Sequence, residues 1–350
     1  MVHDITIEEW LALREKGELT LIDVRSPSEY EETTIPGSVN VPLFDDSERA
    51  EIGTLYKKTS IQAAKDRGLE VVSAKLPAFI RTIASIPGKK AVFCWRGGMR
   101  SRTTATLLSL MDIRVSRIAG GYRAYRKWVV DTLASFDIKP EAFVLHGLTG
   151  TGKTAILQAM AERGIGVLDL ERLAGHRGSI FGEIGMKARN QKTFESLLLE
   201  ELLRLRNEPF VVFEAESRRI GKATLPDFLV RKKEEGAPIW IELPFEERVK
   251  RILQDYKPWE HPLESLEAFR KIKSRIHTPI AAEIETCLKE GGFERAASLL
   301  LEYYYDPLYE HTATRYEDKE RTVVRASTIE EAIESVETIV RNKEKASERG

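Results

Sequence analysis

The strongest constraint on the fold of this 350-residue chain is a glycine-rich run that starts directly after an apolar segment. The apolar segment, Phe143 to His146, leads into GLTGTGKT, residues 147–154, which fits the pattern GxxxxGK followed by Ser or Thr. That pattern is typical of a phosphate-binding loop between a strand and a helix, in which backbone N–H groups surround phosphate oxygens. The lysine reaches the outer phosphates, and the last hydroxyl can hold a magnesium ion. The predicted phosphate-binding residues are Gly147, Gly150, Gly152, Lys153 and Thr154.

Three further apolar runs predict parallel strands around this loop. They are Val167 to Asp169, Pro209 to Phe213, and Ile239 to Leu243. Glu214 follows four apolar residues, where proteins with this loop usually place an acidic residue near the metal. We therefore predict Thr154 and Glu214 as possible magnesium ligands, although a solvated carboxylate at a strand end is an equal alternative for Glu214.

A second glycine-containing turn lies in the first half of the chain, in AVFCWRGGMRSR, residues 91–102. The apolar run before Cys94 predicts a strand, and Ser101 is predicted to cap a helix that continues to Met111. Loop N–H groups, the helix dipole, Arg96 and Arg100 are expected to lower the pKa of the Cys94 thiol well below the usual value of about 8.5. The alternative is that Cys94 is only a small buried apolar residue.

Length and element order predict two domains. Strands alternate with helices in both halves, which indicates α/β sheets covered by helices. The predicted boundaries are 1–133 for the first domain, 134–141 for a linker, and 142–350 for the second domain with its helical C-terminal extension. From Glu246 onward the charged residues, including Arg248, are predicted to form solvated helix faces.

The net charge of −1, with 31% charged residues, means that any nucleic-acid contact must come from a local basic patch. Two basic, glycine-containing loops, 174–179 and 216–222, are expected at the carboxyl edge of the second sheet. Their arginines are candidate contacts to a nucleic acid or to a diphosphate: Arg177, Arg218 and Arg219. His176 is expected to be an ordinary surface histidine.

The tail contains an aromatic run, YYYDPLY, residues 303–309. Aromatic rings beside basic residues can stack on unpaired bases, but packing in a core is an equal alternative. No apolar run is long enough to cross a membrane, and no signal-peptide pattern opens the chain. Cys94 and Cys287 have no metal-ligand spacing, so we expect a reducing compartment, the cytoplasm, and no membrane partner.

The first 130 residues resemble a rhodanese domain. The resemblance is carried by IDVRSPSEYEETTIPGSVNVP, CWRGGMRS and GGYRAYRKW. It implies a rhodanese-like α/β domain, and the phosphate loop predicts that a P-loop NTPase-like parallel α/β domain with a helical C-terminal region follows it. It also implies that Cys94 carries sulfur or selenium and that the Asp23–Arg25 segment supports its loop. Thr34 departs from the pattern, because many rhodaneses have histidine there.

The combination of CWRGGMRS, HGLTGTGKT, LAGHRGSIFG and FEAESRRIG in this order resembles the bacterial tRNA 2-selenouridine synthases. The resemblance implies a transferase that acts on the wobble 2-thiouridine of tRNAs for lysine, glutamate and glutamine. The sulfur would be geranylated from geranyl diphosphate, and selenium from selenophosphate would then replace the geranylthio group. Selenium would be carried on Cys94 as a perselenide, and a selenophosphate-supplying enzyme would be a partner. Alkylation fits this order, since it turns the thiocarbonyl sulfur into a better leaving group.

Two other interpretations stay open. Cys94 to Arg100 also fits C-x5-R and resembles cysteine-dependent phosphatases built on the rhodanese fold. No carboxylate in the loop or beside it in sequence can serve as the general acid, which argues against this activity. The third interpretation is a P-loop kinase with an accessory rhodanese module, and the intact Cys94 argues against it.

Overall fold

The computed structural model describes residues 3–308 and 321–347. The chain divides into two compact units, Met1–Ser135 with Glu195–Leu197, and Phe136–Phe194 with Leu198–Gly350. The predicted α/β fold class is confirmed, because each unit contains a sheet whose neighbouring strands are all parallel.

The first unit is built on a five-stranded sheet in the order β1-β5-β4-β2-β3. Its strands are β1 His3–Ile5, β2 Leu19–Asp23, β3 Val39–Asn40, β4 Lys89–Phe93 and β5 Ser116–Ile118. The central pair, β2 and β4, carries fully buried apolar residues such as Ile22 and Val92. Continuous apolar runs of this kind fit strands that are covered on both faces.

The described residues of this unit form six helices, and several of these begin at side-chain caps. They are α1 Ile7–Glu15, α2 Pro27–Glu32, α3 Asp46–Lys58, α4 Ile61–Ser85, α5 Met99–Leu110 and α6 Gly121–Ala134. Capping boxes start α1, α2 and α3, each with a glutamate at the third helical position. These local signals explain why the helical segments could be predicted from sequence.

The predicted start of α5 is wrong. The helix begins at Met99 with Gly98 as its cap, and Ser101 lies inside the first turn. The Ser101 hydroxyl lies 3.3 Å from the Cys94 sulfur and 3.4 Å from the Gly98 carbonyl oxygen, so it caps no backbone N–H. The helix N-terminus therefore comes closer to the cysteine in sequence than predicted.

The second unit contains a four-stranded sheet in the order β11-β10-β6-β7 and a two-stranded antiparallel ribbon, β8-β9. The strands are β6 Glu141–Gly147, β7 Phe210–Glu214, β8 Arg219–Ile220, β9 Ala223–Thr224, β10 Ala237–Glu242 and β11 Thr322–Arg325. The strand predicted at Val167 to Asp169 reduces to one parallel bridge between Val167 and Val212. Asp169 instead caps the next helix, which ends the extended segment.

The helices of the second unit are α7 Lys153–Glu162, α8 Leu170–Ala174, α9 Gln191–Leu205, α10 Asp227–Glu235, α11 Phe245–Tyr256, α12 Pro262–Arg270, α13 Thr278–Glu290, α14 Phe293–Leu300 and α15 Ile329–Ser347. A π-helical turn, Leu301–Tyr305, continues α14. Helix α15 extends beyond its predicted end at Arg341, because the following residues are mostly good helix formers. Within the described ranges, no helix combines the length and apolarity that crossing a membrane requires.

Candidate active sites in the two units

The cysteine loop is held by the turn that opens α6. Cys94 directly follows β4 and is 3% exposed. Its carbonyl oxygen accepts a hydrogen bond from the Tyr122 N–H at 2.9 Å. A Cβ atom at Gly121 would overlap that oxygen, so only glycine permits this close approach. The pair Gly120-Gly121 was therefore a sequence signal for the loop's support.

The two arginines of the loop have different surroundings. Arg100 makes two hydrogen bonds to the Glu29 carboxylate, at 2.5 and 3.1 Å, whereas Arg96 is exposed. Burial opposes the charge on Glu29, but the bonds and charge of Arg100 lower the pKa of this carboxyl below its usual value. Glu29 stands 71 residues before Arg100, so reading the neighbours of the loop in sequence missed this carboxylate.

A buried ion pair lies beside the cysteine. Arg25 and Asp23 are fully buried and joined at 2.6 Å. The Arg25 guanidinium lies over the rings of Phe93 and Trp95, the residues on either side of Cys94, at 5.8 and 6.0 Å. Thr34 donates a hydrogen bond to Asp23 at 2.8 Å, so the residue that departs from the rhodanese pattern is part of this support.

The predicted phosphate loop lies between β6 and α7. Gly147, Gly150 and Gly152 all have positive φ. A Cβ atom at Gly150 would lie 2.7 Å from the carbonyl oxygen of Arg248, so glycine is required there by both φ and space. The Lys153 ammonium donates to the Gly147 carbonyl oxygen at 3.0 Å, which holds it over the loop.

The loop opens into a cavity of about 730 Å³, which we call the phosphate cavity. Residues from distant parts of the second unit line this cavity with the loop: Arg177, Trp240, Tyr256, Tyr304, Tyr305 and Leu308. Tyr304 is buried and Tyr303 is 45% exposed, while Tyr309 lies outside the described residues. Part of the predicted aromatic run therefore forms a wall of the phosphate site.

Acidic side chains lie beside the loop. The Thr154 hydroxyl donates to Glu171 at 3.1 Å, and one oxygen of Glu214 accepts the Glu171 N–H at 2.9 Å. Glu214 is 2% exposed, so the alternative of a solvated carboxylate is wrong. Its second oxygen, Oε2, is buried and has no hydrogen-bond partner among the described residues. Sequence reasoning missed Glu171, which follows no strand.

The carboxyl groups of this acidic cluster hold their protons more tightly than free carboxyl groups do. Burial and the neighbouring carboxylates of Asp169, Glu171 and Glu216 raise the pKa of Glu214 well above its usual value. Burial and the Glu216 carboxylate raise the pKa of Glu171 to about 8. No group of three or more His, Cys, Asp or Glu within residues 3–308 and 321–347 forms a metal cage. Mg²⁺ needs only one or two carboxylates when phosphate and water supply the other ligands, so the Thr154 hydroxyl and the unpaired Glu214 oxygen suit it in kind. Thr154 and Glu171 line the phosphate cavity, whereas Glu214 lies behind Glu171 and is not part of the lining.

In the comparison with known proteins, each of the two loops falls within a matching family model. A rhodanese-like domain model matches residues 6–127, and a tRNA 2-selenouridine synthase AAA domain model matches residues 140–275. The tRNA 2-selenouridine synthase of Nitrosomonas europaea is 31% identical over 87% of this chain and 92% of its own length. The enzyme of that name from Pseudomonas syringae pv. tomato is 34% identical over 86% of this chain and 91% of its own length. The chain belongs to the tRNA 2-selenouridine synthase family.

The predicted resemblance to this family is thereby confirmed. Among solved structures, a rhodanese-related protein from Thermoplasma volcanium is 21% identical over 36% of this chain and 92% of its own length, with a TM-score of 0.23.

In this tRNA 2-selenouridine synthase family member, a buried arginine connects the phosphate loop to the tail. Arg248 is 4% exposed, so its prediction as part of a solvated helix face is wrong. Its Nε donates to the Thr149 carbonyl oxygen at 2.9 Å, and its two terminal nitrogens bind the Asp306 carboxylate at 3.0 and 2.5 Å. Asp306, the aspartate of YYYDPLY, thus holds Arg248 in place, and Arg248 in turn holds the phosphate loop.

The three arginines of the two predicted basic loops have different surroundings in this family member. Arg177 lines the phosphate cavity, donates to the Ile184 carbonyl oxygen at 2.8 Å and lies 4.9 Å from the Tyr256 ring centre. Arg218 forms an exposed ion pair with Asp227 at 2.5 Å, and Arg219 bonds a carbonyl within its own turn. Neither Arg218 nor Arg219 lines the cavity.

His176 is buried, contrary to the prediction of a surface histidine. Its Nδ1 accepts the Gly178 N–H at 3.1 Å. A Cβ atom at Gly182 or at Gly221 would overlap its ring, so the two basic loops meet around this histidine.

Proposed function

We propose that this protein is a transferase that converts the wobble 2-thiouridine of tRNA to 2-selenouridine. The observation that carries the proposal is the presence in one chain of a buried, supported cysteine at a strand end and a phosphate loop facing a large cavity. Its relatives bear the name of that reaction. We further propose the tRNAs for lysine, glutamate and glutamine as substrates, and a selenophosphate-supplying enzyme as partner.

The first stage is geranylation at the phosphate loop. The thiouridine sulfur attacks C1 of geranyl diphosphate, a C–S bond forms, the C1–O bond breaks, and diphosphate leaves while the uridine N3 proton is released. Lys153 and the loop N–H groups hold the charge that grows on the leaving diphosphate. Thr154 and Glu214 would hold a magnesium ion, which neutralises phosphate charge when bound.

The second stage uses the cysteine loop. Cys94 is the proposed selenium carrier, starting as a mixed disulfide with a small thiol. The selenium of selenophosphate attacks the Cys94 sulfur, the small thiol leaves, and water then breaks the P–Se bond to give phosphate and a perselenide on Cys94. The perselenide selenium bonds to C2 of the S-geranyl-2-thiouridine, the C2–S bond breaks, and geranylthiol leaves. The small thiol then attacks the Cys94 sulfur, which breaks the S–Se bond, restores the mixed disulfide and releases 2-selenouridine, so the cycle is redox-neutral overall. Arg96 and Arg100 are the proposed cations of this loop.

The pairing of Arg100 with Glu29 bears on the phosphatase alternative. In a C-x5-R phosphatase the arginine binds the phosphate, whereas here its guanidinium is already bound to a carboxylate by two hydrogen bonds. This arrangement favours a loop that carries a group on sulfur over one that binds a phosphate ester.

Mass analysis of tRNA nucleosides tests the proposal. The protein is incubated with thiolated tRNA and either geranyl diphosphate alone, selenophosphate alone, or both. We expect S-geranyl-2-thiouridine in the first case and 2-selenouridine only when both are present. Formation of 2-selenouridine from selenophosphate alone would refute the geranylated intermediate, and unchanged nucleosides in all three cases would refute the proposed function.

A further inference from the structure

A separate apolar cavity of about 60 Å³ lies among the helices of the second unit. Helices α11, α13 and α14 supply most of its apolar walls, including Ile252, Leu253, Leu288, Ala297 and Leu300. A small cavity with such walls excludes water and favours an apolar occupant.

Two of the polar side chains around this cavity are already paired. The Ser265 hydroxyl donates to the His261 carbonyl oxygen at 2.9 Å. The Tyr256 hydroxyl lies 3.1 Å from the hydroxyl of Ser179. With these groups satisfied, the cavity offers an incoming molecule mainly apolar contact.

The apolar cavity adjoins the phosphate cavity. Four residues line both of them: Thr149, Ile252, Tyr256 and Tyr305. Thr149 belongs to the phosphate loop itself, so the apolar cavity begins beside the place where a diphosphate would be bound.

We propose that this apolar cavity binds the far end of the prenyl chain of a prenyl diphosphate whose diphosphate is held by the phosphate loop. The inference rests on the proposed function. At about 10–15 Å³ for one water-sized group, the cavity has room for several such groups, which is enough for the branched end of a prenyl chain. In this assignment the second isoprene unit of a geranyl chain enters the cavity, and the first lies beside Tyr305, which lines both cavities.

Chain-length selectivity tests this proposal. Leu300 and Leu299 are both buried on α14, but only Leu300 lines the cavity. Leu300→Ala should enlarge the cavity. It should raise the rate of prenyl transfer from farnesyl diphosphate, relative to that from geranyl diphosphate, by about tenfold. Leu299→Ala is the matched control, because it removes the same atoms from the core and should leave this ratio unchanged.

A second variant tests the opposite change. Ala297→Phe should fill the cavity and lower the rate with geranyl relative to dimethylallyl diphosphate by about tenfold. Thermal unfolding identifies variants that fail to fold, and the Leu300→Ala comparison remains decisive if Ala297→Phe does. Ratios that stay within about twofold of the parent protein in both folded variants would overturn the proposal.

Equilibrium binding separates this inference from the proposed function. The parent protein should bind geranyl diphosphate about tenfold or more tightly than inorganic diphosphate, and Ala297→Phe or, in its absence, Leu300→Ala should reduce that preference. A cavity-dependent preference without prenyl transfer to tRNA would refute the proposed function and support the cavity assignment. Equal affinity for geranyl and inorganic diphosphate would refute the cavity assignment, whatever the transfer assay gives.

Discussion

Replacing Arg248 by methionine should destabilise the second unit and weaken its phosphate loop. The change leaves the Asp306 carboxylate without the two bonds at 3.0 and 2.5 Å, and the Thr149 carbonyl without its donor at 2.9 Å. Breaking a buried ion pair costs about 3–5 kcal/mol, and the lower end applies because the Asp306 side chain is 25% exposed. The unpaired carbonyl adds about 1 kcal/mol, which gives about 4 kcal/mol in total.

The assay is chemical denaturation followed by titration with inorganic diphosphate. Lys250→Met is the matched control, because Lys250 lies on the same helix in an exposed pair with Glu247, and its loss should cost at most about 0.5 kcal/mol. Arg248→Met should also weaken diphosphate binding, whereas the control should not. A loss below about 1 kcal/mol for Arg248→Met, or one equal to that of the control, would refute this reasoning.

Four further outcomes are expected. Cys94→Ala should stop selenium incorporation and cause S-geranylated tRNA to accumulate in nucleoside analysis; normal formation of 2-selenouridine would remove Cys94 as the carrier. Lys153→Ala should abolish geranylation but spare selenation of tRNA that was geranylated beforehand. Geranylation by the parent protein should need no nucleotide, and a strict need for ATP hydrolysis in that step would contradict the assignment of the phosphate loop to geranyl diphosphate. The affinity for tRNA should fall steeply with salt, and the triple alanine variant at the three predicted basic positions should weaken it; an unchanged affinity would leave those arginines structural. Because the folded state keeps a proton on Glu171 that the unfolded chain releases, the free energy of unfolding of metal-free protein should fall as pH rises from 4.5 to about 8. Glu171→Gln should flatten this fall in denaturation curves, and a slope unchanged by the variant would contradict the assignment.

The sequence predicted both loops because each is encoded by consecutive residues. Strand, turn and helix signals lie within about twenty residues of Cys94 and of Lys153, and the structure has a strand and a helix at both positions. The sequence could not predict the ion pairs that hold the loops. Arg248 and Asp306 are 58 residues apart in sequence, and Arg100 and Glu29 are 71 apart. The residues next to a charged side chain in sequence therefore do not show that it will be buried against a distant partner.

The acidic group beside the phosphate loop was predictable only in part. Glu214 ends a strand, which is a recognisable position, whereas Glu171 reaches Thr154 because Asp169 caps α8 immediately before it. Burial of the whole group is a property of packing, and no local pattern encodes it. The same limit applies to His176, which is buried because two glycine-containing loops close around it.

Helix α11 connects the two parts of the proposed prenyl site. Arg248, Ile252 and Tyr256 are spaced four residues apart, so they lie on one face of that helix. The first bonds the phosphate loop, and the other two line both the phosphate cavity and the apolar cavity. One rigid helix thus fixes the distance between the diphosphate and the end of the chain. A substrate held at both ends has little freedom at its C1 atom, which is the condition that favours attack by a positioned sulfur.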